Sequence, residues 1–396
     1  MRSLEVCKCS KTQAWYLFLV LVVITTLSFT GRVVYLSLGE GYGISLDPSC
    51  KPRRHVVFLK THKTASSTIL NILYRYGEAR NLTFALPFFD HLGYPQLFKA
   101  RYVKDFERNP SKEYNIICNH MRFNLPEVRK VMPNQSVYFT ILRNPDQVAE
   151  SSFSYYHDVT PAFREAKSLD RFASRPSTYY SPSAADNHYA RNLMWFDLGG
   201  DHNAQGDPSY VNSTLQALER AFDLVLLAEY FDESLVLLRE ALCWPIEDMA
   251  YFRLNARLRL SVAPLAPAAS SKLRQWNSLD WSLYSRFNRS FWERVARYGA
   301  VRMERDVSQL REIRRRLGAT CLRGDAPAGA AETVPAEIRP PSFGTAKILG
   351  YVLRQDLTGP TRELCTRMVL PESRYLSLLQ RKQALIKLPH NMENRL

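Results

Sequence analysis

The chain has 396 residues, 46% hydrophobic and 23% charged, with a formal net charge of +15 and a sequence pI near 9.5. That length allows one large domain or two small ones, and the composition excludes bulk disorder and supports a sizeable core. The positive balance admits nucleic acid, an anionic membrane or small anionic ligands as partners, and the N-terminal segment selects among them.

Trp15–Thr30 is an uncharged, mostly apolar run with Lys8 and Lys11 before it and Arg32 after it. As a helix at about 1.5 Å per residue it would span about 24 Å, slightly short of a bilayer core of about 30 Å. Val33–Leu38 extends it, with Arg32 snorkelling to the interface, and a short span suits the thinner membranes of the early secretory pathway. The length of the run and the lack of a clear A-x-A site favour a retained signal anchor over a cleaved signal peptide. Arg2, Lys8 and Lys11 then stay cytoplasmic and the body of the chain faces a lumen, which excludes most nucleic-acid roles. The expected organisation is a cytoplasmic tail over 1–14, a transmembrane anchor over 15–38, a stem over 39–54 and a lumenal domain over 55–396, in a single-pass type II arrangement.

The lumenal part begins with its most informative stretch. Val56–Leu59 is β-branched and apolar, and a segment of Lys, Thr, Ala and Ser follows. Ile69, Leu70, Ile72, Leu73 and Tyr76 are then spaced for one buried helical face. Strand, tight loop and helix start aim backbone N–H groups and the positive end of the helix dipole at one point, which suits a phosphate or sulfate. Lys60 and Lys63 add charge there, and Thr64, Ser66, Ser67 and Thr68 add hydroxyl donors, while Ala65 is small enough to let an anion approach. The glycines of G-x-x-x-x-G-K-[ST] are absent, so this is a different loop. Read alone, an ordinary capped strand-to-helix turn would account for the same residues.

Tyr114–Cys118 is a second strand candidate, and His120 just beyond it should project from a strand end into the same cleft. Ser136–Leu142 is a third, ended by Arg143-Asn144-Pro145. Ser151 lies about two helical turns past Arg143, so the two could grip a second phosphate, the Arg fork bidentately. Asn187–Asn192 mixes polar and aromatic residues in a way that suits sugar binding or a surface helix start equally. Leu224–Ala228 is a further strand, running into Glu229. Helices are expected over Ser67–Tyr76, Asp146–Tyr156, Leu215–Arg220 and Glu233–Leu242. Residues 291–317 read as one long basic amphipathic helix whose Arg311, Arg314, Arg315 and Arg316 form a solvated face. Residues 325–341, rich in Ala, Pro and Gly, read as a flexible loop, and the tail regains apolar content and should pack back. Strand–helix alternation predicts an α/β domain with a central parallel sheet flanked by helices and ligands at the strand carboxyl ends.

Sequons at Asn81, Asn134, Asn212 and Asn288 fit a lumenal body as glycosylation sites. Of the seven cysteines, Cys50, Cys118, Cys243, Cys321 and Cys365 would lie in the oxidising lumen, and their odd number leaves at least one free or paired between chains. No C-x-x-C or H-E-x-x-H spacing exists, so no metal is expected.

Lys-Thr-x-x-Ser-Ser-Thr after a strand, then Arg-Asn-Pro with a Ser eight positions past the Arg, resembles the two nucleotide-binding signatures of sulfotransferases. The fuller strings Phe58–Thr68, Cys118–Phe123, Glu229–Leu238 and Ile348–Tyr351 resemble the galactose-3-O-sulfotransferase family, which includes galactosylceramide sulfotransferase and glycan-directed relatives. The resemblance covers the chain from about Cys50 to the C-terminal region. It implies a sulfotransferase-type, P-loop-like fold and 3′-phosphoadenylyl sulfate (PAPS) as donor. Lys63 would neutralise the 5′-phosphate and bridging oxygen, with Lys60 a strand-end charge beside it. Thr64, Ala65, Ser66, Ser67 and Thr68 would cradle the phosphosulfate, Arg143 and Ser151 would hold the 3′-phosphate, and Phe252–Arg257 would be the late loop that covers the nucleotide in sulfotransferases. His120 is the expected acceptor base, with His62 as competitor or as a contact to donor or acceptor. The implied acceptor is the 3-hydroxyl of a terminal β-galactose, galactosylceramide first and galactose-ended glycans close behind, in the Golgi membrane. A nucleotide-dependent kinase and a non-catalytic lumenal galactoside-binding protein are the rival classes. The first would call for a Gly-Lys-Ser/Thr element and a magnesium carboxylate after a strand, which this chain does not offer, and the second has no need of both phosphate-holding segments.

Overall fold

Four short apolar runs make the sheet at the centre of the fold. They are β1 (Val56–Leu59), β2 (Ile116–Ile117), β3 (Val137–Leu142) and β4 (Leu224–Leu227), all parallel and ordered β2-β1-β3-β4. Every residue of these strands is buried, which explains their continuous apolar character where a half-exposed strand would alternate. Val56 faces Ile116 on one side and Val137 on the other. Phe58 and Phe139 stack with ring centroids 4.8 Å apart, tying the central pair together. The computed structural model describes residues 50–109, 111–257, 265–324, 328–330, 334–341, 346 and 348–385. The fold is that of the described residues in the unit that begins at Lys51.

Helices α1 (Ser66–Ala79), α2 (Pro145–Tyr156), α3 (Leu193–Asp197), α4 (Phe231–Leu242), α5 (Ser278–Tyr298), α6 (Ala300–Cys321), α7 (Gly359–Val369) and α8 (Glu372–Leu385) carry much of the flanking layers. In α1 the predicted face of Ile69, Leu70, Ile72, Leu73 and Tyr76 is buried. Pro145 opens α2, where its missing N–H costs nothing, and the Asn144 side chain accepts from Asp146 N at 3.0 Å. The C-terminal helices pack back on α1: Asn71 donates to Arg367 O at 2.8 Å, and Glu78 accepts from Arg367, Tyr375 and Lys382.

Two expectations are corrected. The helix expected over 291–317 is two helices, α5 and α6, parted at Gly299, whose φ of +93° is a conformation that favours glycine. Arg311 and Arg314 of α6 pair with Asp232 of α4 at 2.8 and 3.0 Å, so that side of α6 docks onto a neighbour, while Arg315 and Arg316 pair with Glu312 in solvent. The second correction concerns the membrane-crossing helix of the expected fold. No helix among the described residues is long and apolar enough to cross a membrane. The long ones, α5 and α6, carry Arg, Asp and Glu throughout, each of the order of 2.5–3.5 kcal/mol unfavourable at a bilayer centre. The expected span 15–38 lies outside the described residues. Within 325–341, residues 328–330 pair with Leu349–Gly350, and Val334 and Ile338 are buried; 325–327 and 331–333 lie outside the described residues.

Cys321 at the end of α6 bonds to Cys365 in α7 across a separation of 44 residues, Cys243 is disulfide-bonded as well, and Cys118 is a free, buried thiol. Closing a loop of that size removes about 4 kcal/mol of unfolded-chain entropy. The Cys321→Ser, Cys365→Ser variant should therefore lose about 2–5 kcal/mol of stability, read as a lowered urea midpoint with a steeper slope, because the uncrosslinked unfolded chain exposes more surface.

Candidate active site

The carboxyl ends of β1 and β3 lie side by side, so the segments that follow them share one cavity of about 1000 Å³. After β1 the chain turns through Lys63 (φ +61°) and Ala65 (φ +64°) into α1. Left-handed conformations at non-glycine residues cost of the order of 1–3 kcal/mol each. Buried side chains hold them: Thr61 Oγ1 lies 2.8 Å from Thr64 Oγ1 and also donates to Ile141 O, and Ser66 Oγ donates to Thr61 O at 2.6 Å. Ala65 is the N-cap and has no side chain to cap with, and the first turn of α1 contains no acidic residue. Thr68 N donates to Ala65 O at 3.1 Å, and the N–H groups of Ser66 and Ser67 at the start of α1 meet no capping side chain, which suits an anion.

Cations surround this turn. Lys63 Nζ sits 3.3 Å from the centre of the Tyr155 ring. Arg143 Nη1 donates to Lys63 O at 3.0 Å and its Nε to Gln147 Oε1 at 3.1 Å. Arg257 forms a bidentate pair with Glu150. Lys60 Nζ lies 3.2 Å from Glu372 Oε2, an oxygen that also accepts from Ser67 Oγ at 3.2 Å. Burial first, then the charges of Arg257, Lys60 and Arg143, hold the Lys63 ammonium well below its ordinary range, with Glu150 opposing. Burial also lowers Arg143. Ser151, one helical turn past Gln147 on α2, is buried and lines the same cavity.

Two histidines stack at the other side of the loop, ring centroids 3.9 Å apart and nearly parallel at 11°. His120 Nδ1 lies 3.0 Å from Lys60 O, to which it must donate, and its Nε2 accepts from Lys60 Nζ at 2.7 Å. Burial, then the neighbouring His62 and Lys60, push the His120 imidazole well below its usual value, so it is neutral. His62 Nδ1 faces the fully buried Asp197, 2.9 and 3.0 Å from the two carboxylate oxygens, and its backbone N–H donates to Oδ2 at 2.7 Å. Tyr94, Tyr156 and Tyr189 pack around the His62 ring at 4.6, 6.1 and 5.6 Å.

All the residues singled out from sequence around the anion, Lys60, His62, Lys63, Thr64, Ala65, Ser66, Ser67, Thr68, His120, Arg143 and Ser151, line this one cavity. The late segment lines it too through Arg253–Arg257, and Leu254 N donates to Thr68 Oγ1 at 3.1 Å. Sequence reasoning missed Tyr155, Asp197 and Glu372. The spacing of Gln147, Ser151 and Tyr155 at i, i+4 and i+8 could have revealed Tyr155. Asp197 and Glu372 leave no local signal. Asn81, Asn134 and Asn212 are exposed and Asn288 is half-buried on α5. Among the described residues no group of three or more His, Cys, Asp or Glu could hold a metal ion.

A parallel sheet whose strand ends bring a basic loop, an Arg and a Ser, and a histidine pair to one cavity has the site chemistry of an anion-holding α/β enzyme. The family model described as Galactose-3-O-sulfotransferase matches residues 11–383. Galactose-3-O-sulfotransferase 2 of Sus scrofa is 50% identical over 346 residues, covering 86% of this chain and 87% of its own length. Galactosylceramide sulfotransferase of Homo sapiens is 43% identical over 332 residues, covering 83% and 78%. Galactose-3-O-sulfotransferase 4 of Bos taurus is 38% identical over 428 residues, covering 90% and 89%. The chain belongs to the galactose-3-O-sulfotransferase family and is a galactose sulfotransferase.

An anion bound at the loop would raise the depressed Lys63 again. Between the two values binding takes up a proton, so affinity should fall as pH rises through that window. Calorimetry of adenosine 3′,5′-bisphosphate binding in buffers of different ionisation enthalpy should show net uptake, and Lys63→Met should abolish it.

Proposed function

We propose that this enzyme moves the sulfuryl group of PAPS to the 3-hydroxyl of a terminal β-galactose. One observation carries the reading: the Lys63 loop, the Arg143–Ser151 pair and the histidine pair all line one cavity. PAPS has two anionic groups, a 5′-phosphosulfate and a 3′-phosphate. The Lys63 loop with its open helix start suits the first, and Arg143 with Ser151 suits the second. The acceptor oxygen attacks sulfur as the bridging S–O bond breaks, and negative charge grows on the departing 5′-phosphate. Lys63 and the start of α1 oppose that charge, so electrostatic positioning supplies most of the catalysis. No divalent ion is needed for this, because fixed cations stand where a kinase would use magnesium.

Galactosylceramide is the first acceptor in this reading, supported by the 43%-identical human relative named for it. Galactose-ended glycans are the second, supported by a relative that matches at 50% and is named for galactose alone. An oxidising lumenal compartment such as the Golgi is supported by the Cys321–Cys365 disulfide and the exposed sequons.

Radiolabelled PAPS offered with galactosylceramide, lactosylceramide and free N-acetyllactosamine tests both donor and acceptor. Label on the galactose 3-oxygen of the lipid is expected, unaffected by chelator. Transfer to N-acetyllactosamine alone selects the glycan reading, and transfer to none of the three overturns the proposal. Lys63→Ala should chiefly lower kcat, since charge develops at the bridging oxygen, whereas Arg143→Ala should chiefly raise the donor KM, since the 3′-phosphate is remote from sulfur. Each loss corresponds to about 2–5 kcal/mol.

A further inference from the structure

We propose that His62 is the general base for the acceptor hydroxyl and that Asp197 is its positioning residue, while His120 serves to orient Lys60. This rests on the sulfuryl-transfer reading above.

The two imidazoles differ in what their nitrogens already do. Both nitrogens of His120 are engaged by the same residue, Nδ1 with Lys60 O and Nε2 with Lys60 Nζ. A proton arriving at His120 Nε2 would face an ammonium 2.7 Å away and displace its hydrogen bond. His62 has the opposite arrangement. Its Nδ1–H is fixed on the buried Asp197 carboxylate, which leaves Nε2 as the basic nitrogen of the neutral ring, and the ring lines the cavity. Asp197 closes α3, 135 residues along the chain, and holds the His62 backbone N–H as well. One carboxylate therefore fixes the ring's tautomer, its orientation and the loop that carries it, the relationship seen in Asp–His dyads of acyl transfer.

In the step itself His62 Nε2 takes the proton of the 3-hydroxyl as that oxygen forms its bond to sulfur. The bridging S–O bond breaks with its electron pair going to the 5′-phosphate oxygen. The products are the sulfated galactoside, adenosine 3′,5′-bisphosphate and an imidazolium stabilised by Asp197, which returns its proton to solvent. The groups facing His62 are Asp197 from α3, His120 with Lys60 behind it, Tyr94, Tyr156 from α2, and Tyr189 with His188. Burial raises all three phenols and lowers His120 and His188, the latter to about 3. Burial therefore keeps these three phenols and two imidazoles from titrating near neutral pH.

Full-length wild type, His62→Ala, His62→Gly, Asp197→Asn, Asp197→Glu and His120→Gln are compared by kcat and KM across pH, adenosine 3′,5′-bisphosphate affinity and Tm. His62→Ala should lose about 10²–10⁴ in kcat with affinity for the bisphosphate within about threefold of wild type, a tolerance smaller than the loss of one hydrogen bond. Added imidazole should restore turnover to His62→Gly. Asp197→Asn should lower kcat and move the acidic limb to lower pH, because the imidazolium loses its counter-ion; a purely structural defect would leave the limb in place. Asp197→Glu keeps a carboxylate near the ring, should keep the limb near its wild-type position, and decides the point if the Asn variant does not fold. His120→Gln should keep the acidic limb and lose less than His62→Ala. The inference is overturned if His62→Ala keeps kcat within tenfold, if imidazole fails to rescue His62→Gly, if the limb stays fixed in a folded Asp197→Asn, or if His120→Gln removes the limb. Wild type that transfers no sulfate from PAPS to any galactoside would instead overturn the reaction itself.

Discussion

Like charges crowded into one partly desolvated cavity are the constraint on which the rest of this structure depends. Lys60, Lys63, Arg143 and Arg257 all line it, and their mutual repulsion must be offset for the fold to persist. Glu150 takes Arg257 in both oxygens, and Glu372 takes Lys60. Lys63 has no carboxylate partner among the described residues and rests on the face of Tyr155, a contact worth about 0.5–2 kcal/mol. It is therefore a cation that gains when an anion arrives. Ground-state discomfort at Lys63 and its position beside the helix start are two aspects of one arrangement, since a site relieved by phosphate is also one that favours charge growing on a leaving phosphate.

The same need explains why distant elements converge here. Glu372 opens α8, which packs on α1 through the Tyr375 hydrogen bond and the Lys382 ion pair to Glu78, so the C-terminal helix delivers a counter-ion to the turn at the start of the domain. Asp197 ends the short α3, whose backbone N–H groups at Met194 and Trp195 are held by the buried Asp280 of α5. Asp280 is itself pushed up to about 7 by burial, opposed by those two N–H groups. The anion loop is thereby pinned from the C-terminal helices on one side and from α3 and α5 on the other. Its left-handed residues and its histidine stay in place because the surroundings over-determine them.

Much of this was legible in the linear chain, and the reason differs from element to element. Buried parallel strands read as unbroken apolar runs, so Val56–Leu59, Val137–Leu142 and Leu224–Leu227 were recognisable, as was the buried face of α1. The boundary between α5 and α6 was not, because the amphipathic pattern continues through Gly299 and only the backbone angle there shows the break. The basic face of α6 read as solvated, yet Arg311 and Arg314 meet Asp232 of α4, a partner no periodicity could name. The apolar run 15–38 lies outside the described residues, among which no helix is long and apolar enough to cross a membrane.

By itself the sequence determined the parts whose chemistry is local: a strand, a hydroxyl-rich turn and a helix start at 56–68, and an Arg with a Ser two turns later at 143–151. Such parts are fixed by short-range sterics and by backbone groups that neighbouring residues must satisfy, so adjacent letters suffice to read them. Tertiary structure alone decided which histidine nitrogen is free and which is occupied. That depends on Lys60 reaching His120 across 60 positions and on Asp197 reaching His62 across 135. A carboxylate orients an imidazole through hydrogen bonds about 3 Å long, and only the packing of α3 against the β1 loop brings those atoms within that distance.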